Sequence, residues 1–219
     1  TDDSLNIRKA FVVGRQDYTL IGADYSQIEL RIIAHLAEDE YMISAFKNGM
    51  DIHHSTACRI FNINDTSKIS PEMRRLAKII NFGVLYGMTA HSLAEETGLP
   101  YYRAKEFIEN YFAKFASIGK YFEQVIESAS ITGYTETLYG RRRYIPELKN
   151  KNKNIRQSGV RMAINMPVQG IAADILKMAM LKLYAGLDNY KARLLLTIHD
   201  ELIFTAPTDK TAEFKEYLR

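Results

Sequence analysis

Residues 70–87 read SPEMRRLAKIINFGVLYG, and the fold turns on whether they form a helix. Ser70 is a good N-cap, and Pro71 suits the first helical position, where a missing N–H costs nothing. A helix through Arg74–Gly87 stacks Arg74, Lys78, Phe82 and Tyr86 on one face, because four residues advance it by about 400°. A core-facing stripe would not begin with two cations. A solvent-facing stripe would not end with two aromatics. Cation followed by ring asks for a ligand of matching character, and an amphipathic helix with exposed cations and core aromatics is the plainer alternative.

Working outward, AFVV (10–13) and YTLIGA (18–23) read as strands, the second ending at Asp24. Ser26 opens a long helical pattern, SQIELRIIAHLAEDEYMISAFKNG, closed by Gly49, and a further helix begins near Asp51. After residue 87, Gly98 and Pro100 end a short helix, and YYRAKEFIENYFAKF and GKYFEQVIESASITG supply two more. GYTETLYGRRRYIPEL reads as short strands about a glycine turn. Helix returns from Ile155 to about Leu187, with Pro167 expected to interrupt it. RLLLTIHDELIFTAP closes the pattern as two apolar strands around His199, Asp200 and Glu201. The sum is an α+β chain, mostly helical, with few strands in two separated regions. There is no internal repeat.

A chain of 219 residues can bury a sizeable core, as one large domain or two small ones. Its 29 basic and 26 acidic residues give +3, a weak hint of an acidic partner. Cys58 is the single cysteine, so no intrachain disulfide forms, which fits a reducing cytosol-like compartment without requiring it. The amino-terminal TDDSLNIRK has no apolar h-region, and no run approaches the roughly 20 apolar residues of a membrane span. A soluble protein is expected.

Four groups of residues carry chemistry. Asp24 ends an apolar strand, a rigid position suited to a metal ligand, although an aspartate there also begins turns. Glu29 stands three residues after Ser26, which makes a capping box its plain reading. Asp200 and Glu201 sit with His199 at a strand–strand tip whose apolar flanks suggest a buried base, so carboxylates there need a partner such as a metal. Asp24 and Asp200 are then the minimum needed to bridge two Mg²⁺ ions about 3.5–4 Å apart for displacement at phosphorus. With them, Arg74 and Lys78 suit the phosphates of a nucleoside triphosphate, and Phe82 and Tyr86 suit its base. Finally, Arg141–Arg161 holds eight Lys or Arg and one acid, Glu147, in which KNKNKN is a solvated loop. Arg161, Asn165 and Gln169 recur at four-residue spacing and could read a groove edge.

These residues also carry a resemblance. DYSQIELR, RRLAKIINFGVLYG and HDEL, in that order, resemble motifs A, B and C of the DNA polymerase I family, the family A polymerases. GRRRYIP and INMPVQG, between B and C, are similar to this family as well. The resemblance covers about Ala10 to Pro207. It implies an antiparallel palm sheet with a mostly helical fingers subdomain, truncated at both ends. Residues 1–35 would be palm, 36–155 fingers with the nucleotide-binding helix at 71–87, and 156–219 palm again. The thumb and the outer palm segments would lie outside the chain, which leaves the activity of this piece alone open.

The resemblance implies roles. Asp24 and Asp200 would hold two Mg²⁺ ions with the Tyr25 carbonyl, and Glu201 would support them. Arg74, Lys78 and His53 would meet the phosphates, with Lys78 a general acid for the departing pyrophosphate. Phe82 and Tyr86 would contact sugar and base, Gln27 would join the nucleotide site, and Glu29 would be the gate that crowds a ribose 2′-OH. Arg161, Asn165, Gln169 and His199 would touch primer and template. Gly83 and Gly87 would suit a close template strand, or Gly87 would simply end the helix. The implied enzyme is a monomeric DNA-directed DNA polymerase with primer–template DNA and deoxynucleoside triphosphates as partners, no membrane, in a bacterial cytoplasm or an organelle. A single-subunit RNA polymerase is the nearest rival, against which Glu29 argues. A non-catalytic nucleic-acid-binding module is the other.

Overall fold

The computed structural model describes residues 10–219, so the reading of TDDSLNIRK lies outside the described residues. In chain order the elements are β1 (Tyr18–Asp24), α1 (Ile28–Leu36), α2 (Glu40–Lys47), α3 (Ile52–Phe61), α4 (Pro71–Leu85), α5 (Ala90–Thr97), α6 (Tyr101–Lys114) and α7 (Ala116–Thr132). There follow β2 (Tyr134–Glu136), β3 (Arg142–Tyr144), α8 (Lys153–Tyr184), β4 (Arg193–Ile198), β5 (Glu201–Pro207) and α9 (Thr211–Tyr217). The outline is α+β. The described chain divides into two compact units, one built from residues up to Ser26 with Ala173–Arg219, the other from Gln27–Ala172.

The first unit is organised by an antiparallel sheet in the order β1-β5-β4. Central β5 is buried along most of its length, as its run LIFTA requires. Leu202, Phe204 and Ala206 join Ile21, Leu187, Ala192 and Phe214 in one core, where the rings of Phe204 and Phe214 meet edge-on at 5.4 Å. The β1–β5 register runs from Tyr18 opposite Pro207 to Asp24 opposite Glu201, which brings the end of β1 beside the β4–β5 turn.

One expectation fails in this unit and another holds only in part. AFVV is not a strand: residues 11–13 have no regular structure, and Phe11 and Val12 are 64% and 75% exposed. β-Propensity alone makes no ladder without a neighbour to pair with. The base of the β4–β5 hairpin is buried on its β5 side, where Leu202 is 3% exposed, but not on its β4 side. β4 is an edge strand, exposed nearly throughout, with Leu195 and Ile198 each 49% exposed. An apolar run shows that a strand is compatible with burial, not that both of its faces are covered.

The second unit is helical, with Leu30, Ile33, Met42, Ile52, Ile80, Tyr111, Phe115 and Ile118 fully buried. The single helix expected from Ser26 to Gly49 is two. Glu38 adopts φ 51°, and Asp39 starts α2 by accepting the Met42 N–H at 2.9 Å. Its other carboxylate oxygen accepts from the Ser117 hydroxyl at 2.6 Å, a contact across 78 positions that no local pattern contains. α8, by contrast, is not interrupted: it runs through Pro167, which is buried among Ala163, Ile164, Met166 and Val168. Packing of that apolar segment outweighs a proline cost of about 3 kcal/mol. KNKNKN is not a plain loop either, since Asn152 accepts the N–H groups of Asn154 and Ile155 and starts α8. β2 and β3 form the expected hairpin, with Gly140 at φ 82° in its turn.

Candidate active site

α4 begins as its sequence dictates, with the Ser70 hydroxyl accepting the Met73 N–H at 3.2 Å. Its end is a Schellman motif. Met88 N–H donates to the Gly83 carbonyl at 2.8 Å and Gly87 N–H to Val84 at 3.0 Å, with Gly87 at φ 66°. The helix therefore stops at Leu85, two residues earlier than expected, and Tyr86 is its C-cap. Gly87 thus ends the helix, as one of its two readings had it.

The opposite faces of α4 part cleanly. Leu76, Ala77, Ile80, Val84 and Leu85 are buried, whereas Arg74 and Lys78 are exposed, Phe82 is half-buried and Tyr86 is 43% exposed. Tyr86 is thus not a core aromatic, while Phe82 is partly buried. Lys78, Phe82 and Tyr86 line an open cleft of about 870 Å³ together with Gly83, Gly87 and Arg161. That volume falls within the range of small-molecule sites. Arg74 lies outside the cleft lining and is held by Asp51, Nη2 and Nε donating to one carboxylate oxygen at 2.6 and 3.0 Å.

His53 joins this face from α3. It is 3% exposed, its ring 5.5 Å from that of Phe82. Burial, and the positive charges of Arg74 and Lys78, hold its pKa below the usual value against the opposing pull of Asp51. Burial works to raise the Asp51 carboxyl, but the N–H groups of His54 and His53 and the Arg74 guanidinium leave it below the ordinary range. Glu29 comes to the same unit by a different bond from the one expected. The cap of α1 is Gln27, in the left-handed region at φ 56°, with no side-chain cap bond. The Glu29 carboxylate instead accepts the Tyr86 hydroxyl at 2.7 Å across 57 positions, so the capping-box reading is corrected.

Arg161, on α8, lies against Gly87, whose missing Cβ would stand 2.7 Å from Arg161 Cγ. Asn165, one turn on, sets its side-chain amide against the Leu85 and Arg161 carbonyls, to which only the nitrogen end of the amide can donate. Gln169 is exposed.

In the first unit, Asp24 ends β1 directly opposite Glu201, and Asp200 occupies the turn just before it. The sheet register therefore brings both aspartates to one strand end. Partial desolvation and the nearby Asp200 charge push the Asp24 carboxyl above its ordinary value, which the Tyr25 N–H only partly offsets. Two like charges held together in this way fit a divalent cation. No cluster of three or more His, Cys, Asp or Glu side chains suited to a metal occurs among the described residues. A pair of carboxylates still matches Mg²⁺, which keeps water and substrate oxygens as most of its ligands. Glu201 leans across Gly22, where an added Cβ would collide with its carboxylate. Tyr25 is exposed, and so is His199, which takes φ 55° to turn the chain.

Two residues at this site escaped the sequence reading. Asp51 was visible only as a helix start. Asn81 is a fully buried polar residue on the apolar side of α4, and that mismatch with its face was its signal.

The family model described as DNA polymerase family A matches residues 1–219. The chain belongs to DNA polymerase family A. Among family A relatives, it is 48% identical over 213 residues to the thermostable DNA polymerase I of Thermus filiformis, covering 97% of the chain and 25% of that protein. To DNA polymerase I of Deinococcus radiodurans it is 49% identical over 207 residues, 94% of the chain and 21% of the relative. It spans about a quarter of the length of such relatives. Among solved structures, the POL domain of Pol1 from M. smegmatis, in complex with DNA primer-template and dNTP, matches with TM-score 0.91 and 40% identity. That match covers all of this chain and 39% of the other. No helix of the described residues is long and apolar enough to cross a membrane.

Proposed function

We propose that this chain is the palm-and-fingers part of a template-directed DNA polymerase that adds deoxynucleoside triphosphates to a primer 3′-OH. The observation that carries the reading is the convergence of Asp24 and Asp200 at one strand end, with the Asp24 carboxyl raised. Membership of family A and the DNA polymerase names of its relatives support it, and the comparisons do not favour a single-subunit RNA polymerase or a binding module. In the proposed division, 1–35 and 156–219 are palm and 36–155 fingers; the compact units divide at 26/27 and 172/173.

Asp24 and Asp200, with the Tyr25 carbonyl, would hold two divalent ions, Mg²⁺ by the chemistry of the donors, and Glu201 would support them. Such ions lower the pKa of the attacking hydroxyl and neutralise the triphosphate. The protein's own work is positioning and charge stabilisation. Arg74 and Lys78 would bind the phosphates with His53, and Lys78 would protonate the departing pyrophosphate. Phe82 and Tyr86 would pack on sugar and base, with Gln27 beside them. Glu29, fixed by Tyr86, would crowd a ribose 2′-OH. Arg161, Asn165, Gln169 and His199 would touch primer and template in the minor groove, where shared acceptors allow a check of pair shape without a sequence code. The enzyme would act as a monomer, in a bacterial nucleoid or an organelle; the relatives named above are bacterial and support the first.

The test is primer extension with Mg²⁺ by a polymerase of the relatives' length carrying this chain. Asp200→Ala is expected to abolish extension while DNA affinity stays within a few-fold. Extension that survives the substitution would overturn the proposal.

A further inference from the structure

Behind the open face of α4 lies a buried polar chain of three residues. Thr56 and Asn81 are fully buried and His53 is nearly so. The Thr56 hydroxyl donates to Asn81 Oδ1 at 3.2 Å. Asn81 Nδ2 stands 3.0 Å from the same hydroxyl and 3.1 Å from His53 Nδ1. The Thr56 hydroxyl bonds both ends of the amide, donating to Oδ1 and accepting from Nδ2, and it is Nδ2 that faces the ring. An NH₂ group can only donate, so the ring nitrogen it meets must carry a lone pair.

Three charged groups bear on this ring: Asp51 before it on α3, and Arg74 and Lys78 on the facing α4. Burial and the two cations favour the neutral imidazole. A neutral imidazole has one proton, and its place is set by the bond the other nitrogen makes. Among the described residues Nε2 makes no hydrogen bond, and it is not one of their buried unpartnered polar atoms, so it keeps some contact with solvent.

We propose that Asn81 is a positioning residue that locks His53 as the Nε2–H tautomer, aiming a neutral donor at a phosphate oxygen beside Arg74 and Lys78. This deepens, and rests on, the reading of that face as a triphosphate site. A neutral donor adds specificity without a third positive charge, and above its lowered pKa it does not change with pH. Asn81 touches no phosphate itself; it acts through His53. A buried amide on an otherwise apolar helix face, held at both ends, has its explanation here.

The test is ¹⁵N spectroscopy of the imidazole nitrogens in this chain, with the five histidines labelled and His53 assigned by its loss in His53→Gln. At neutral pH, Nδ1 of His53 is expected at the unprotonated position and Nε2 at the protonated one. Asn81→Asp replaces the donor with an acceptor and should move a proton onto Nδ1. Asn81→Leu, easier to bury, should release the lock and bring both nitrogens toward averaged positions. A protonated Nδ1 in the unsubstituted chain, or nitrogens that both substitutions leave unmoved, would overturn the proposal. Titration with inorganic tripolyphosphate is expected to shift Nε2 together with the Arg74 and Lys78 side-chain signals. Shifts of the two cations without Nε2 would overturn the donor role. Silence of all three would fault the triphosphate reading itself, and the tautomer is still decided by the first spectrum.

Discussion

Gly87→Ala separates two demands that the structure places on one glycine. The first is conformational: at φ 66° an L-residue costs about 1–2 kcal/mol. The second is steric, because the new Cβ would stand 2.7 Å from Arg161 Cγ and 3.3 Å from Cδ. Overpacking costs typically 1–3 kcal/mol, and a rotatable arginine stem puts this case near about 1 kcal/mol. The expected total is about 2–3 kcal/mol. Gly98 ends α5 at φ 72° with nothing within 4 Å of an added Cβ, so Gly98→Ala meets the conformational demand alone and should cost about 1–2 kcal/mol. Urea denaturation followed by circular dichroism measures both. In the Arg161→Ala background the colliding atoms are gone, and Gly87→Ala should cost no more than Gly98→Ala. Equal losses in the unsubstituted background, or an excess that survives Arg161→Ala, would refute the claimed packing of Arg161 on the helix end.

Three further outcomes follow from the charges and the proposed roles. Glu29→Ala in the full-length polymerase should raise ribonucleotide incorporation in primer extension, and an unchanged sugar preference would remove the gate assignment. The depressed Asp51 carboxyl stabilises the fold above its unfolded pKa of about 3.9, and that contribution is lost as pH falls through the lower folded value. Asp51→Asn should therefore flatten the acid side of a stability–pH profile measured by urea denaturation from neutral pH down through about pH 3. Asp24 has the opposite sign: its raised folded pKa means a cost present at neutral pH and absent once it is protonated. Asp200→Asn should lower the Asp24 pKa, read by carbon NMR of its carboxyl, and raise the midpoint of thermal unfolding at pH 7 without divalent ions.

Much of the fold was legible because its signals are local. Ser70–Pro71 at the start of α4, Asp51 before α3 and Gly98 after α5 all do what their chemistry dictates. The apolar character of YTLIGA sufficed for β1. The failures are non-local. Residues 11–13 lack a strand, the break at Glu38 is tied to Ser117, and Pro167 is tolerated because its surroundings are packed. At the site, the four-residue stripe of α4 was readable from spacing, and the sheet register then brought Asp24 and Asp200 together. The Tyr86–Glu29 and Arg74–Asp51 bonds join residues 57 and 23 positions apart. Sequence spacing carries no distance in space, so Glu29 was readable as a cap and Asp51 only as a helix start.

If Asp24 and Asp200 form one divalent-ion platform, paramagnetic broadening by Mn²⁺ in this chain shows it without turnover. Sub-stoichiometric Mn²⁺ should broaden the amide signals of Ala23, Tyr25 and Leu202 before those elsewhere, with the effect lost in Asp200→Asn. Broadening spread over acidic surface residues, or the same at the strand end in the substituted chain, would contradict it.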